Sequence, residues 1–419
     1  MAEDKTAASR PTILQIIPEL DTGGAELSAV EIADAIVRAG GRALVLSEPG
    51  GRLVSKVVAA GGEAVPFPAA SKNPLRMLAN GGAIARLVRR EGVHLVHARS
   101  RAPAWSALLA ARRARVPFVT TYHGAYNETN AAKRFYNSVM ARGDLVIANS
   151  RYTSDLIAGR YGTPRERIAV VHRGIDPARL DPAGVGSDRV AALRARWGVA
   201  AGDPVVLQMA RLTAWKGQGV LVEAAARLQQ AGSLGAAVIV LAGDAQGRTA
   251  YAEGLRHQIA QAGLGERVRL VGHVEDVAAA YLAAHATVVA SIEPEAFGRT
   301  AVEAAAMGCP VIATAIGAPP ETVLAEPAVA RDSITGWLVP PLDAGALAKR
   351  LAEVLALGPP ERSAIAARAR AHVLGQFTVG AMQRRTLAVY DRLLGTVLER
   401  RFTESSGQPD ARRSFPRQS

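Results

Sequence analysis

Two glutamates spaced eight residues apart, Glu295 and Glu303, stand in a segment whose pattern is typical of an anion site. The segment predicts a helix from Arg299 to Met307, with Glu295 in the loop before it and Glu303 in its second turn. The helix N-terminus follows Gly298, where free N–H groups, the helix dipole and a close backbone approach favour an anion such as phosphate. Carboxylates flanking an anion indicate recognition of sugar hydroxyls. Taken singly, either acid would more often be a dipole-balancing or solvated helix residue.

A second pair of charged residues, Arg211 and Lys216, comes directly after the predicted strand Val205–Ala210. Two cations in one loop can hold both phosphates of a diphosphate, the arginine as a fork and the lysine as a point charge. An isolated arginine and lysine in a loop are more often part of a solvated surface. The spacing alone therefore leaves the diphosphate and the surface interpretations open.

Other small or titratable residues also follow predicted strands. The glycine pair Gly23 and Gly24 lies between the strand Thr12–Ile17 and a helix, as in phosphate-binding turns, although a simple tight turn has the same pattern. His123 and His273 follow later strands. Spacing alone favours a structural histidine at position 123, and at position 273 a structural role is at least as well supported as a binding role.

Short apolar strands alternate with helical patterns, which predicts an α/β fold with parallel, doubly wound sheets and ligands at the carboxyl ends of the strands. A chain of 419 residues is too long for one compact core and indicates two domains. We place the first domain at residues 12–183 and the second at residues 184–377. The polar segments 1–11 and 403–419 are predicted to be disordered.

The formal net charge of +13 calls for an acidic partner. Residues 86–115 hold eight arginines against one acid, Glu91, but Trp105 is their only aromatic residue. Because aromatics that could stack on bases are nearly absent there, nucleic acid is not expected as a partner. An anionic membrane surface, a phosphate-bearing substrate and a plain solvated face stay open.

The single cysteine, Cys309, cannot form an internal disulfide and is expected to be a small buried hydrophobe. No apolar run approaches the roughly 18 residues of a spanning helix, and the first residues lack a signal-peptide pattern. We expect a cytoplasmic protein, with peripheral contact to the anionic inner face of the cytoplasmic membrane left open. No metal or other cofactor is expected, because the sequence has no Asp-x-Asp pair to hold Mg²⁺ against a diphosphate.

The order of these parts resembles a known family. Glu-x-Phe-Gly at residues 295–298, Glu303, Gly-x-Pro-Val-Ile-Ala-Thr at 308–314 and Arg-x4-Lys-Gly at 211–217 are similar to the signature of retaining GT-B nucleotide-sugar glycosyltransferases. The pattern looks most like the glycogen-synthase-like, family 4 type, whose members often build bacterial surface polysaccharide, including lipopolysaccharide. The resemblance implies two Rossmann-like domains facing each other across a cleft. It also implies that a C-terminal helix, residues 378–402, returns to the first domain.

The resemblance further implies roles for single residues. The catalytic set consists of Arg211, Lys216, Glu295 and His123. Arg211 and Lys216 hold the leaving diphosphate, and the other two residues contact the transferred sugar. The donor-binding set consists of Gly23, Gly24, Phe297, Gly298, Arg299, Glu303 and His273. Within it, Glu303 holds the ribose hydroxyls and His273 lies near the base. Arg299 and Ala318 depart from the family pattern beside the sugar pocket, so the donor sugar stays open.

The implied activity is transfer of a sugar from a UDP- or GDP-sugar to an acceptor hydroxyl with retention at the anomeric carbon. The implied acceptor is a glycan or a lipid-linked precursor, in lipopolysaccharide or other surface-glycan synthesis. Two alternatives stay open: a nucleotide-sugar 2-epimerase of the same fold, and a non-catalytic protein that binds anionic glycan or nucleic acid. A dehydrogenase is disfavoured, because the first glycine turn is no Gly-x-Gly-x-x-Gly fingerprint.

Overall fold

The computed structural model describes residues 10–21, 23–71, 73–126 and 128–406. They form two compact units. The first unit comprises the chain up to His172 and again from Val379 onward, and the second unit comprises Arg173–Thr378. Each unit is built on one parallel sheet with helices between consecutive strands. The predicted α/β fold with two doubly wound sheets is therefore confirmed.

The first unit contains a seven-stranded parallel sheet. Its strands are β1 (Thr12–Ile16), β2 (Arg42–Ser47), β3 (Glu63–Pro66), β4 (Leu95–Ala98), β5 (Phe118–Tyr122), β6 (Leu145–Ala148) and β7 (Ile168–Val170). The helices are α1 (Gly24–Arg38), α2 (Val54–Ala59), α3 (Pro74–Arg90), α4 (Arg101–Ala114), α5 (Ala131–Asn137) and α6 (Arg151–Tyr161). The strand order is β3-β2-β1-β4-β5-β6-β7, so the chain changes direction across the sheet between β1 and β4.

Side chains of β1 show why this sheet is buried on both faces. Ile13 packs into one apolar cluster of the first unit, whereas its neighbours Leu14 and Ile16 pack into the other. Successive side chains of a strand point to opposite faces, so a continuous apolar run is what a sheet covered by helices on both sides requires.

The second unit repeats this plan with six parallel strands. They are β8 (Val205–Met209), β9 (Val238–Ala242), β10 (Val268–Gly272), β11 (Ala286–Val289), β12 (Val311–Thr314) and β13 (Trp337–Val339). Its helices are α7 (Ser187–Arg196), α8 (Gln218–Gln230), α9 (Thr249–Gln261), α10 (Val277–Ala283), α11 (Arg299–Ala306), α12 (Pro319–Thr322), α13 (Ala344–Leu355) and α14 (Pro359–Gln376). The order β10-β9-β8-β11-β12-β13 places the change of direction between β8 and β11. In open α/β sheets, ligands bind beyond the carboxyl ends of the strands at this point.

The boundary between the units lies at His172–Arg173, earlier in the chain than the predicted boundary after residue 183. Ile175 and Leu180 are buried in an apolar cluster of the second unit, and Ile175 forms a parallel bridge with Thr378. Residues 173–183, assigned to the first domain from the sequence, thus belong to the second unit, because a few apolar residues suffice to attach them there.

Two helices follow the second unit: α15 (Val379–Leu394) and α16 (Leu398–Ser406). Both pack in the first unit, where Gln383 Nε2 donates to the Glu31 carbonyl at 2.7 Å and Phe402 is buried. Helix α16 continues four residues past position 402, so residues 403–406 are ordered helix rather than the start of a disordered tail. Pro11 is also buried, whereas residues 1–9 and 407–419 lie outside the described residues. In the described part of the chain, no helix combines the length and apolar character needed to cross a bilayer.

Candidate active site

The carboxyl ends of β8 and β11 carry the charged residues of the second unit that the sequence singled out. The loop after β8 contains Arg211 and Lys216, and the loop after β11 contains Glu295. Backbone hydrogen bonding joins the two loops, because the Ile292 amide donates to the Trp215 carbonyl at 2.8 Å. Arg211 and Lys216 therefore share one edge of the sheet with Glu295, at the switch point where a ligand is expected.

Gly217 fixes the conformation of the lysine loop. Its φ is +68°, a left-handed conformation, and an added Cβ would lie 1.9 Å from the carbonyl oxygen of Ala290. Two glutamine side chains hold the loop backbone: Gln208 Nε2 donates to the Lys216 carbonyl at 2.6 Å, and Gln218 Nε2 donates to the Arg211 carbonyl at 2.9 Å. Only glycine fits at position 217, so the placement of Lys216 is built into the backbone.

The Lys216 ammonium forms an ion pair with Glu295 and lies 4.1 Å from the centroid of the Trp215 ring. Ser291 donates its hydroxyl to the same carboxylate oxygen, Glu295 Oε1, at 2.6 Å. The lysine and glutamate side chains are 17 % and 11 % exposed. This cluster is mostly removed from water but still open on one side, so its charges can act on a ligand with little screening.

The backbone around Glu295 is held from the opposite direction. Its carbonyl accepts a hydrogen bond from the Ala318 amide at 2.8 Å, and Glu295 forms a parallel bridge with Gly317. Gly317 has φ +82°, and an added Cβ would lie 2.3 Å from that carbonyl oxygen. Ala318, which departs from the family pattern, is fully buried. The departure thus concerns a buried position that touches the Glu295 loop through its backbone.

Arg211 differs from Lys216 in its surroundings. Its side chain is exposed, and within the described residues its guanidinium has no hydrogen bond or ion pair. A free planar guanidinium beside a fixed ammonium is able to bind a phosphate through two parallel N–H groups.

Helix α11 begins where the prediction placed it. Gly298 caps it with φ +76°, and Thr300 Oγ1 donates to the Met209 carbonyl at 3.2 Å, which ties the helix start to the end of β8. The Phe297 side chain is 3 % exposed and stacks edge-on against Phe377 at 5.9 Å between centroids. Phe297 therefore anchors the loop in the core through its side chain.

Glu303 is held on both sides of its carboxylate. Arg299 Nε donates to one oxygen at 2.6 Å, and the Tyr281 hydroxyl donates to the other at 3.2 Å. Burial, and then the negative charge of Glu303, raises the pKa of Tyr281 well above its usual range, so this hydroxyl keeps its proton. Arg299, expected to bind the donor, thus also positions Glu303.

His273 stands apart from this cluster along the sheet. It is exposed after β10, which is separated from β8 by β9. The Gly243 amide donates to the Gly272 carbonyl at 2.8 Å, so the ends of β9 and β10 are joined beside it. The structure gives no contact of His273 with Lys216 or Glu295.

In the first unit, His123 directly follows β5 and is half-buried, with its carbonyl accepting from Asn149 Nδ2 at 3.2 Å. Gly23 caps α1 and is exposed, and Gly24 is the first residue of that helix. The φ of Gly23 is −75°, so this glycine is not required by a left-handed backbone. An added Cβ at position 23 would lie 1.9 Å from Glu26 Oε2, so this glycine leaves room for that carboxylate at the helix N-terminus.

Sequence reasoning missed several residues that build the cluster: Ser291, Trp215, Gln208 and Tyr281. Ser291 comes two residues after the end of β11, which is a recognisable signal. Trp215 and Gln208 contact Lys216 from its own loop and from the preceding strand, but no motif marks them. Tyr281 has no signal in a single sequence, since its contact with Glu303 depends on which helices become neighbours. Cys309 is buried, as predicted, and burial raises the pKa of its thiol to about 12.

Comparison with known proteins agrees with this geometry. Residues 22–179 match the family model described as Glycosyltransferase Family 4, and residues 190–372 match the one described as Glycosyl transferases group 1. A D-inositol 3-phosphate glycosyltransferase of Xylanimonas cellulosilytica is 31 % identical over 385 residues, which cover 84 % of this chain and 87 % of that relative.

Solved structures give the same result. A glycosyltransferase from Rickettsia africae is 32 % identical, with a TM-score of 0.82 over 93 % of this chain and 100 % of that one. Anabaena HepE in complex with UDP and glucose is 26 % identical, with a TM-score of 0.75 over 91 % of this chain and 99 % of that one. The chain therefore belongs to the family 4 type of GT-B glycosyltransferases and is a sugar-transferring enzyme.

Proposed function

We propose that this enzyme transfers a sugar from a UDP-sugar, with UDP-glucose as first choice, to an acceptor hydroxyl with retention and without a metal ion. The observation that carries the proposal is the Lys216–Glu295 ion pair, fixed beside the exposed Arg211 at the switch point of the second sheet. The choice of donor is supported by Anabaena HepE, which has been solved with UDP-glucose.

In the proposed reaction each charged residue has one role. Arg211 and Lys216 bind the diphosphate and offset the negative charge that grows on it as the bond from the anomeric carbon to its oxygen breaks. Glu295 accepts hydrogen bonds from sugar hydroxyls. The acceptor oxygen attacks on the same face, and its proton passes to the departing phosphate oxygen. Because Glu295 is tied to Lys216 and Ser291, it is suited to orient the sugar rather than to attack it.

The nucleoside end is assigned to helix α11. Glu303, oriented by Arg299 and Tyr281, would accept hydrogen bonds from the ribose hydroxyls. His273, beyond β10, is proposed to lie toward the base. In the first unit, His123, Gly23 and Gly24 are proposed to contact the sugar and phosphates, as the family resemblance implies.

The acceptor is proposed to carry phosphate. D-inositol 3-phosphate is the first candidate, because two relatives, 31 % and 30 % identical, are named D-inositol 3-phosphate glycosyltransferase. A lipid-linked or lipopolysaccharide precursor at the inner face of the cytoplasmic membrane is the second. The net charge of +13 suits either anionic acceptor.

A proton NMR time course tests the proposal. The enzyme is mixed with UDP-glucose, D-inositol 3-phosphate and a chelator, and anomeric signals are followed; parallel samples hold GDP-sugars or a lipid-linked acceptor. We expect UDP-glucose to be consumed and a product with the donor's anomeric configuration to form. Product of inverted configuration, or activity only after a divalent metal is restored, would contradict the proposal.

The same experiment separates the alternatives. An epimerised nucleotide sugar without glycoside product would make the enzyme a 2-epimerase. Absence of binding across the donor panel, together with salt-dependent binding to nucleic acid, would favour a non-catalytic anion-binding protein.

A further inference from the structure

Two adjoining cavities of about 490 Å³ each lie in the first unit, and neither is lined by the first-unit residues assigned to substrates, His123, Gly23 and Gly24. They share the residues Ser138, Arg142, Tyr161 and Gly162 and so form one groove. Arg167, which lines it, directly precedes β7, and Arg112 lies in the last turn of α4. The groove is therefore at the amino ends of the strands, whereas His123 and Gly23 are at the carboxyl ends.

Arginines dominate the lining of this groove, and no aspartate or glutamate contributes to it. The arginines are Arg112, Arg134, Arg142, Arg160 and Arg167. Two of them already have acidic partners outside the lining: Arg112 pairs with Asp144 at 2.8 Å and Arg160 with Glu128 at 3.8 Å.

The other three arginines have no acidic partner among the described residues. Arg134 donates to the Arg160 carbonyl at 2.7 Å, Arg142 donates to the Ser138 hydroxyl at 3.3 Å, and Arg167 donates to the Gly143 carbonyl. Such contacts explain the orientation of each guanidinium but use only part of its N–H donors. The groove thus concentrates uncompensated positive charge with free donors.

An aromatic platform stands beside these donors. Phe135 lines the groove, is 61 % exposed, and stacks on Trp105 with ring centroids 5.1 Å apart. The Arg142 guanidinium lies 5.1 Å from the Trp105 centroid and 5.6 Å from that of Phe135. These rings hold Arg142 in place, and Phe135 offers an apolar surface next to the charge.

We propose that this arginine groove binds a phosphate-bearing ligand at a site separate from the donor and acceptor positions. Planar guanidiniums with spare N–H groups match phosphate oxygens. The phosphate can come from a soluble compound or from the head group of an anionic lipid, which Phe135 would contact through its acyl region. The proposal does not depend on the identity of the transferred sugar.

The test uses pyrophosphate as the probe, with binding measured by isothermal titration calorimetry. All chains carry Lys216→Met with Arg211→Gln, which removes both cations assigned to the diphosphate in the second unit, so that the remaining signal reports the groove. Into this background we place Arg142→Gln, or Arg134→Gln with Arg142→Gln. The matched control is Arg165→Gln with Arg256→Gln, which removes two exposed charges outside the groove.

We expect the double groove variant to weaken pyrophosphate binding at least tenfold, the single variant to weaken it severalfold, and the control to change it less than twofold. Arg142 is exposed, and Arg142→Gln removes one hydrogen bond to a hydroxyl and the contacts of the guanidinium with two rings, so it stays folded even if the double variant does not. Equal affinity in the groove variants and the control, or no binding by the background chain to pyrophosphate or to vesicles, would overturn the proposal.

Vesicle sedimentation separates the two sources of phosphate. The full chain is mixed with phosphatidylcholine vesicles with and without phosphatidylglycerol, and Phe135→Ser is compared with Arg142→Gln. If both variants lose binding to the anionic vesicles, the ligand is a lipid head group. If the vesicles do not bind the chain and pyrophosphate binding still depends on Arg142, the ligand is a soluble phosphate compound.

Discussion

A buried glutamine occupies the fourth position of the first strand in each unit: Gln15 in β1 and Gln208 in β8. In the first unit, Gln15 accepts from the buried Arg99 at 2.8 Å and donates to the Ala29 carbonyl at 3.0 Å. In the second unit, Gln208 donates to the Lys216 carbonyl, but none of the described residues donates to its oxygen. The same residue at the same point of two similar sheets thus serves different ends.

The surroundings of the two glutamines explain the difference. Beside Gln15, the fully buried His97 is bonded on both ring nitrogens, to the Tyr390 hydroxyl and the Thr121 hydroxyl at 2.7 Å each. Beside Gln208, the charges of Lys216 and Glu295 are partly open to solvent. The first network fastens the returning helix α15 to the sheet. We call it closed because its side chains are buried, although Arg99 Nε has no partner among the described residues, and we call the second network open because its charges are partly exposed. We infer that the closed network is structural and that the open one serves the proposed function.

The largest expected effect is on the open network. Lys216→Met keeps the length of the side chain but removes its charge, so the diphosphate loses a fixed cation as it departs. We expect the turnover number to fall about 100- to 1000-fold, by analogy with removal of one charge-stabilising donor from an active site. Steady-state kinetics with UDP-glucose measure the turnover number. The control is Lys349→Met, which changes an exposed lysine of the same unit.

Next comes the backbone that holds the lysine. Gly217→Ala places a methyl group against the Ala290 carbonyl and strains a left-handed residue, so we expect a loss of about 2–4 kcal/mol in stability, together with a loss of turnover. Gly254→Ala in α9 meets no atom within 4 Å and should be neutral or stabilising. Denaturant unfolding of both variants measures the change in the free energy of unfolding. Equal stability of the two variants would show that the loop tolerates a shift.

Disruption of the closed network should lower the stability of the fold and leave donor binding unchanged. His97→Phe leaves the Tyr390 and Thr121 hydroxyls without their partner, which we expect to cost about 2–3 kcal/mol. Hydrogen exchange at β4 and calorimetric binding of UDP report the two properties separately. His257→Phe, which alters an exposed histidine, is the control. A His97 variant that loses UDP binding at full stability would place this network in the active site.

His97 also predicts how the first unit depends on pH. Burial, and then the charge of Arg99, lowers the pKa of His97 well below its usual range. Below the ordinary value of about 6.5, the unfolded chain takes up a proton that the folded chain excludes. His97 therefore makes its full contribution to the free energy of unfolding above that pH. As the pH drops further, this contribution falls by about 1.4 kcal/mol per pH unit. His97→Phe should lose this slope between pH 6.5 and about 5.

The smallest expected effect concerns the ribose end. Glu303→Gln keeps the shape of the side chain but removes the charge that Arg299 and Tyr281 orient. We expect the KM for UDP-glucose to rise about tenfold with little change in turnover, because ribose contacts are made equally in the ground and transition states. Glu253→Gln, at an exposed position of α9, should have no effect. A fall in turnover without a rise in KM would indicate that Glu303 acts on the reacting sugar instead of the ribose.

The sequence predicted most of the second-unit cluster because its chemistry is local. Arg211 and Lys216 share one loop, and the glycines at 217 and 298 mark the turns that hold the charged side chains. Lys216 and Glu295 lie in loops 79 residues apart, and Glu303 and Tyr281 lie on two helices 22 residues apart, so these partnerships depend on tertiary packing that no spacing could give. Phe297 was assigned to the donor by motif, although its apolar side chain is drawn into the core.

The domain ends were harder to predict for a related reason. The sequence pattern predicts a domain boundary after residue 183 and a tail from residue 403, but Ile175, Leu180 and Phe402 are each buried by distant neighbours. Single apolar residues in polar stretches carry little weight in a window average, yet each can fix a segment to a unit.

A double-mutant cycle on the Lys216–Glu295 pair tests the central claim most directly. Turnover with UDP-glucose is measured for Lys216→Met, Glu295→Gln and the double variant, with UDP binding as the reference for an intact site. If the pair forms one reacting unit, the double variant is hardly slower than the worse single variant, and binding of UDP by Glu295→Gln is preserved. Losses in turnover that simply add, or a Glu295→Gln variant with normal turnover, would show that this ion pair is not where the sugar is transferred.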